Sequence, residues 1–303
     1  MKKFNAKLLL FGEYGLMFGA EALAVSFPHF TGELAFASQK KVAEVKQSQR
    51  DLEHFVTFFE QEGLNEQMNF PIGLDQIRRD LKRGLHFDSD IPLQYGVGSS
   101  GALCAALYQH YGSNQLDLKE LKEKPWLLSS LKHDFSVMES FFHGKSSGFD
   151  PLVSYVNRPV LLVGDEIRLP SPEIQTPGYS VVLLDTQVKS PTAPLVNWFV
   201  KKMEAQEFKA KFDELFLPSN SQAIHAFLNG DTTRLFQALK SISAFQRENL
   251  QPMIPEAFKS VFQELTSRDI PLKLLGSGGG GYLLAFVPDG VTLPAKLKSL
   301  KVF

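Results

Sequence analysis

The stretch Tyr95-Gly96-Val97-Gly98-Ser99-Ser100-Gly101, followed at once by Ala-Leu-Cys-Ala-Ala-Leu-Tyr, constrains this chain more than any other. Glycine has no Cβ and reaches backbone conformations that turn successive N–H groups toward one point. The residues after it are good helix formers, and a helix that begins there adds free N–H groups and the positive end of its dipole. The spacing predicts a tight turn and then a helix over about 99–111, with Gly112 as its stop. A turn and helix start of this kind make a cradle for a phosphate group.

Taken alone, Gly96-Val97-Gly98-Ser99-Ser100-Gly101 is also the G-x-G-x-x-G of dinucleotide binding, and Asp117 and Glu120 stand about 20 residues on, as that fold requires. An NAD(P)-dependent oxidoreductase is therefore one alternative. Against it, the approach His86–Leu93 is polar and contains Pro92, unlike the apolar strand of a parallel sheet. An isolated match of this length is more often an ordinary turn before a helix.

A chain of 303 residues predicts one large or two ordinary domains. The breaker-rich segment Leu169–Gly178 marks the expected boundary, giving domains 1–172 and 173–303. Apolar residues make up 44% and charged residues 21%, the balance of a soluble globular protein. The net charge of −1 argues against nucleic acid as a partner. No stretch reaches the roughly 18 apolar residues of a membrane span. The run Leu8–Phe11 is stopped by Gly12 and Glu13, too soon for a signal peptide. The single cysteine, Cys104, cannot form an intrachain disulfide, which fits a reducing, cytoplasmic setting.

The patterns predict a buried strand over 7–11, a second from 22 to 27 and one or two more within 33–45. Helices are expected over 51–62, 72–85 and 116–122. Leu128, Leu131, Phe135, Met138 and Phe142 then form one apolar helical stripe ended by Gly144. Strands are expected near 151–156, 159–163 and 179–185. Helices follow over about 192–204, 220–229, 231–246 and 255–267, and strands over 272–275 and 282–287 flank Gly276–Gly281.

Three further groups of residues carry chemistry. Glu139 sits at the edge of the apolar stripe, where a half-buried carboxylate wants a cation or donor. Asp150 follows the turn Ser146-Ser147-Gly148. Beside a phosphate cradle, one such carboxylate suits Mg²⁺ and the other suits the proton of an attacking hydroxyl; the plainer alternative is a surface carboxylate and a turn cap. Gly144-Lys145-Ser146 resembles the end of a P-loop, but residue 139 is then a glutamate where glycine is required. His143, at a helix end, is expected to be a dipole partner. The segment Gly276-Ser277-Gly278-Gly279-Gly280-Gly281 has more glycine than a hairpin needs, so something approaches its backbone closely. Lys7 and Glu13 flank the first strand, where a lysine pairs with a carboxylate or a phosphate.

In combination, these motifs resemble the GHMP kinases. Lys7–Gly19 is similar to their first motif, Pro92–Ala102 to their phosphate-binding motif and Gly276–Gly281 to their third, in the same order along nearly the whole chain. Within the superfamily, Glu139 with His143-Gly144-Lys145-Ser146-Ser147-Gly148-Phe149-Asp150 is most similar to the mevalonate kinase branch, as is Asp185–Thr192.

The resemblance implies a mixed α/β (α+β) fold. An N-terminal domain like the second domain of ribosomal protein S5 would precede a ferredoxin-like C-terminal domain, with the active site between them. It implies ATP and Mg²⁺ as cofactors and a small-molecule alcohol, first mevalonate, as acceptor; a homodimer is compatible with it. Asp150 and Lys7 would be catalytic. Gly96, Val97, Gly98, Ser99, Ser100 and Gly101 would hold the ATP phosphates, and Ser100 and Glu139 the metal. Glu13, Tyr14, Thr192, Gly278 and Gly279 would shape the acceptor side. Asn5-Ala6, Tyr14 and Ser190 replace the family's usual Pro-Gly, histidine and arginine, and the last two bear on the acceptor. Phosphomevalonate kinase, with Lys145 and Lys189 as extra cations, and an inactive GHMP-like binding module are the alternatives within this fold.

Overall fold

The computed structural model describes residues 1–36, 42–190 and 192–303. The first part of the chain forms β1 (Phe4–Phe11), β2 (Ala22–Ala35), α1 (Val42–Gln61), α2 (Leu74–Lys82), β3 (His86–Ser89) and α3 (Ser99–Tyr111). Then come α4 (Leu118–Glu123), α5 (Trp126–His143), α6 (Phe149–Val156), β4 (Val160–Val163), β5 (Glu166–Arg168) and β6 (Tyr179–Asp185). The last part forms α7 (Thr192–Met203), α8 (Gln206–Lys211), a π turn at Phe212–Phe216, α9 (Leu217–Leu228) and α10 (Thr232–Asn249). It ends with α11 (Glu256–Ser267), β7 (Leu272–Leu274), β8 (Tyr282–Pro288) and β9 (Ser299–Lys301). One sheet runs β1-β2-β4-β5 with β3 pairing on β2, and a second runs β7-β8-β6-β9.

The chain divides into two compact units that interleave along the sequence. The first comprises Met1–Lys7, Val25–Pro92 and Gly98–Pro159. Here β2 pairs antiparallel with β3, from Gly32↔Ser89 to Ala35↔His86. Helix α3 is built from small residues and is buried on nearly every side, including Ala102, Cys104, Ala105 and Ala106, so α5 and α6 pack directly on it. Tyr108, Phe135 and Tyr155 from these three helices meet ring to ring at 5.2–5.7 Å.

The second unit comprises Leu8–Ala24, Leu93–Val97 and Val160–Phe303. β6 pairs along its whole length with β8, and β7 and β9 lie on the outer sides, all antiparallel. Phe199, Phe208, Phe212, Phe216 and Phe245 form one aromatic cluster.

Two expected elements change type. Residues 151–156 are helix, not strand: Pro151 to Val156 are all buried, so no periodicity separates the two, and Pro151 is tolerated in a helix's first turn. Residues 42–45 open α1 instead of continuing a strand, which ends at Ala35; Val42 is solvent-exposed, so the alternation there does not follow burial. Residues 206–219, β5 and β9 were not foreseen as regular structure. Among the described residues no helix is long and apolar enough to cross a membrane.

Candidate active site

Lys7 lies in β1, a strand buried on both faces, so its ammonium cannot reach bulk water and needs an anion. Asp150 supplies it: Lys7 Nζ lies 2.8 Å from Asp150 Oδ2, and the aspartate side chain keeps 34% of its exposure. Asp150 stands in the first turn of α6, where the helix dipole favours a carboxylate. Gly98 makes room for the lysine stem. Its φ is +80°, and a Cβ there would stand 2.8 Å from Lys7 Cγ. Gly101 is similarly close to α6, with a Cβ position 3.0 Å from the carbonyl carbon of Asp150.

Glu139, in the last turn of α5, is 3% exposed. It was expected half-buried at the edge of the apolar stripe; it is fully inside. Ser100 Oγ donates to Glu139 Oε1 at 3.0 Å, and Ser146 Oγ donates to Oε2. Burial first, then the charge of Asp150, pushes the Glu139 carboxyl up to about 7, against the two serine hydrogen bonds and the Lys7 charge. His143 is more than a dipole partner, because its Nε2 lies 3.2 Å from Ser100 Oγ. Burial pulls that imidazole below its usual value, Lys7 acts in the same direction, and Asp150 opposes them.

The loop reaches α3 as expected, with Ser99 as the first helical residue after Gly98. The first N–H groups of a helix have no intrahelical acceptor, so the amides of Ser99, Ser100 and Gly101 offer donors at the helix's positive end. The approach is β3, antiparallel to β2, followed by Asp90–Val97 outside any strand. This is not the parallel strand of a dinucleotide-binding βαβ unit, and the oxidoreductase alternative loses its structural basis.

Lys7 is paired with Asp150, and Glu13 has a lysine of its own. Glu13 Oε1 accepts from Lys273 Nζ at 2.5 Å, with both side chains about 1% exposed. The Tyr14 hydroxyl donates to the carbonyl oxygen of Ser277, and its ring lies 4.4 Å from that of Phe199. The third glycine segment is approached closely, as expected, but by this chain itself. A Cβ on Gly278 would stand 2.8 Å from Met253 O, one on Gly279 2.5 Å from Ser190 Oγ, and one on Gly281 2.7 Å from Tyr95 O. Thr192 opens α7, and its side chain lies outside the described residues. Lys273 was missed in sequence. Its signal was a lone charge inside Pro271-Leu272-Lys273-Leu274-Leu275, next to the glycines.

Among the described residues no three His, Cys, Asp or Glu side chains could jointly hold a metal. A metal at Glu139 and Ser100 would have one carboxylate and one hydroxyl from the protein. That donor set fits Mg²⁺, which prefers hard oxygens, takes few carboxylates and keeps several waters. A buried carboxylate raised to about 7 beside a second carboxylate is also a group that a cation would stabilise.

No family model matches the chain. The mevalonate kinase of Arabidopsis thaliana is 24% identical over 229 residues, 71% of this chain, and the match covers 59% of that relative's own length. Among solved structures, L. major mevalonate kinase in complex with R-mevalonate superposes with a TM-score of 0.61 at 21% identity, over 96% of this chain and 88% of that one. Streptococcus pneumoniae phosphomevalonate kinase in complex with phosphomevalonate and AMPPNP gives 0.58 at 15% identity, over 95% and 91%. Identities this low establish architecture and leave chemistry to the site. The chain has the two-domain α/β fold of the GHMP kinases, and in sequence it is similar to mevalonate kinase.

Proposed function

We propose that this protein is an ATP-dependent small-molecule kinase that transfers the γ-phosphoryl group to an alcohol, with mevalonate as the first acceptor to test. The observation that carries this reading is the Lys7–Asp150 pair at 2.8 Å, beside the start of α3 and next to the Ser100–Glu139 contact. Asp150 Oδ accepts the proton of the acceptor hydroxyl as its oxygen attacks the γ-phosphorus, and the bond to the leaving ADP breaks. Lys7 holds Asp150 in place and steadies charge on the attacking oxygen. The amides from Gly96 to Gly101 hold the phosphates. Glu139 and Ser100 would hold Mg²⁺, which when bound neutralises phosphate charge. Positioning and charge stabilisation supply most of the catalysis in phosphoryl transfer.

On the acceptor side the proposal keeps Tyr14, Thr192, Gly278 and Gly279. Tyr14 is a buried phenol where the family usually has histidine, and Ser190 stands against Gly279 where it usually has arginine. The boundary at 172/173 and a cytoplasmic location, in keeping with a buried free Cys104, belong to the same proposal.

The test is ADP release with Mg-ATP and a panel of mevalonate, phosphomevalonate, homoserine, galactose and no acceptor. Turnover on mevalonate supports the whole reading. Turnover on phosphomevalonate moves the acceptor to a phosphorylated alcohol. ATP binding without any turnover favours the inactive module, and absence of ATP binding overturns the reading.

A further inference from the structure

Lys273 is a charge in the interior of β7. Its Nζ donates to Glu13 Oε1 at 2.5 Å and to the carbonyl oxygen of Leu274 at 2.8 Å, and it lies 5.8 Å from the centre of the Phe11 ring. Burial holds the ammonium below the usual lysine range, and Glu13 opposes that shift. A buried ion pair is a poor source of stability. Removing two charges from water costs about as much as their attraction returns, and an apolar pair of similar volume often does as well. What such a pair does supply is a fixed place.

The place is informative. Glu13 belongs to the turn Gly12–Gly15, and Lys273 to the strand that leads into Gly276–Gly281. The next residue of the same turn makes a second connection, from the Tyr14 hydroxyl to Ser277 O. Tyr14 does so at φ 61°, a conformation that is unfavourable for a bulky residue and persists only where its surroundings enforce it. Two adjacent residues therefore grip the glycine segment on either side of Gly276. Further fixing comes from Gly279 N to Met253 O at 2.5 Å, Gly281 N to Val188 O at 2.7 Å and Leu274 N to Gln246 Oε1 at 2.8 Å.

We propose that Lys273 is a positioning residue for the phosphoryl transfer, that it sets the path of Gly276–Gly281, and that Glu13 serves Lys273 instead of contacting the acceptor alcohol. The effect on turnover rests on the kinase reading; the hold on the loop does not.

The experiment compares the full chain with Lys273→Met, which keeps most of the side-chain volume, and with Tyr14→Phe, which removes one hydroxyl. Amide hydrogen exchange is expected to accelerate about tenfold in peptides covering 276–281 and 12–16 of Lys273→Met, less in Tyr14→Phe, and not in α10. Uniform acceleration, or none, overturns the proposal, and Tyr14→Phe alone decides it if Lys273→Met does not fold. Well below the melting temperature, kcat of Lys273→Met is expected to fall about tenfold while KM for ATP stays within about threefold. An unchanged kcat overturns the positioning role. Glu13→Gln combined with Lys273→Met is expected to lose no more than Lys273→Met alone, because coupled residues are non-additive. Additive losses overturn the assignment of Glu13. A wild-type chain inactive on every acceptor, with the local exchange pattern intact, upholds the hold on the loop and removes only the kinase reading.

Discussion

Lys7 Nζ and Asp150 Oδ2 lie 2.8 Å apart, one on a doubly buried strand and the other in the first turn of a helix. Asp150→Asn keeps the shape and removes the proposed proton acceptor. Turnover is expected to fall by roughly 10²–10⁴, the scale of a positioned acid–base group, with ATP binding retained. Steady-state kinetics together with nucleotide titration check this, and near-normal turnover takes Asp150 out of its role.

Glu139 sets a pH dependence of stability in the metal-free protein. Its folded value of about 7 lies above the 4.5 of an unperturbed glutamate, so between these values the folded state holds the extra proton. Stability is therefore full below about pH 4.5 and falls as pH rises through 7, by at most about 3 kcal/mol. Thermal melts of metal-free protein across pH 5–8 should show this decline, and Glu139→Gln should flatten it. The same variant, and Ser100→Ala more weakly, should raise the Mg²⁺ concentration needed for half-maximal activity.

Gly98→Ala and Gly144→Ala separate backbone cost from contact. Both glycines have positive φ, +80° and +73°, but a Cβ at 98 meets Lys7 Cγ at 2.8 Å and one at 144 meets nothing within 4 Å. Gly144→Ala should cost about 1 kcal/mol and leave kcat unchanged. Gly98→Ala should cost more and depress kcat, because Lys7 must move. Melting and kinetics of the pair decide it, and equal behaviour would show that the Gly98 contact carries no weight.

Asp134 offers a control remote from the chemistry. It is fully buried and accepts from Asn69 N, Asn69 Nδ2 and Phe70 N at 2.7–2.9 Å. Asp134→Ala strands those donors, at about 1–3 kcal/mol for each one left buried. The melting temperature should fall by several degrees while kcat of the folded fraction stays the same.

The sequence disclosed what local chemistry controls. Helix α3 begins and ends where Gly98 and Gly112 imply, and the Leu128-to-Met138 stripe is buried as its period requires. It concealed what depends on the fold as a whole. Residues 151–156 carry no period because every face is covered. The partner of Glu13 is 260 residues away, and nothing local to Lys273 names it. His143 was legible as a helix end, but its contact with Ser100 depends on how α5 packs against α3. Gly278–Gly281 was legible as a close approach, and only the fold shows that the approaching atoms include those of Met253, Leu195, Ser190, Val188 and Tyr95.

The interleaving of the two units bears on how the chain is made. Every segment of the first unit has been synthesised once Pro159 is in place, whereas Leu8–Ala24 and Leu93–Val97 belong with residues that come later. Phe11 meets Phe227 and Phe286, so beyond its sheet neighbour β2 its apolar strand end lacks these two ring contacts until those residues are translated. At ribosomal rates that wait lasts on the order of ten seconds. A nascent chain halted after Pro159 should therefore bind chaperones through Leu8–Phe11, and crosslinking from that stretch in stalled chains of increasing length should fade only as residue 286 emerges.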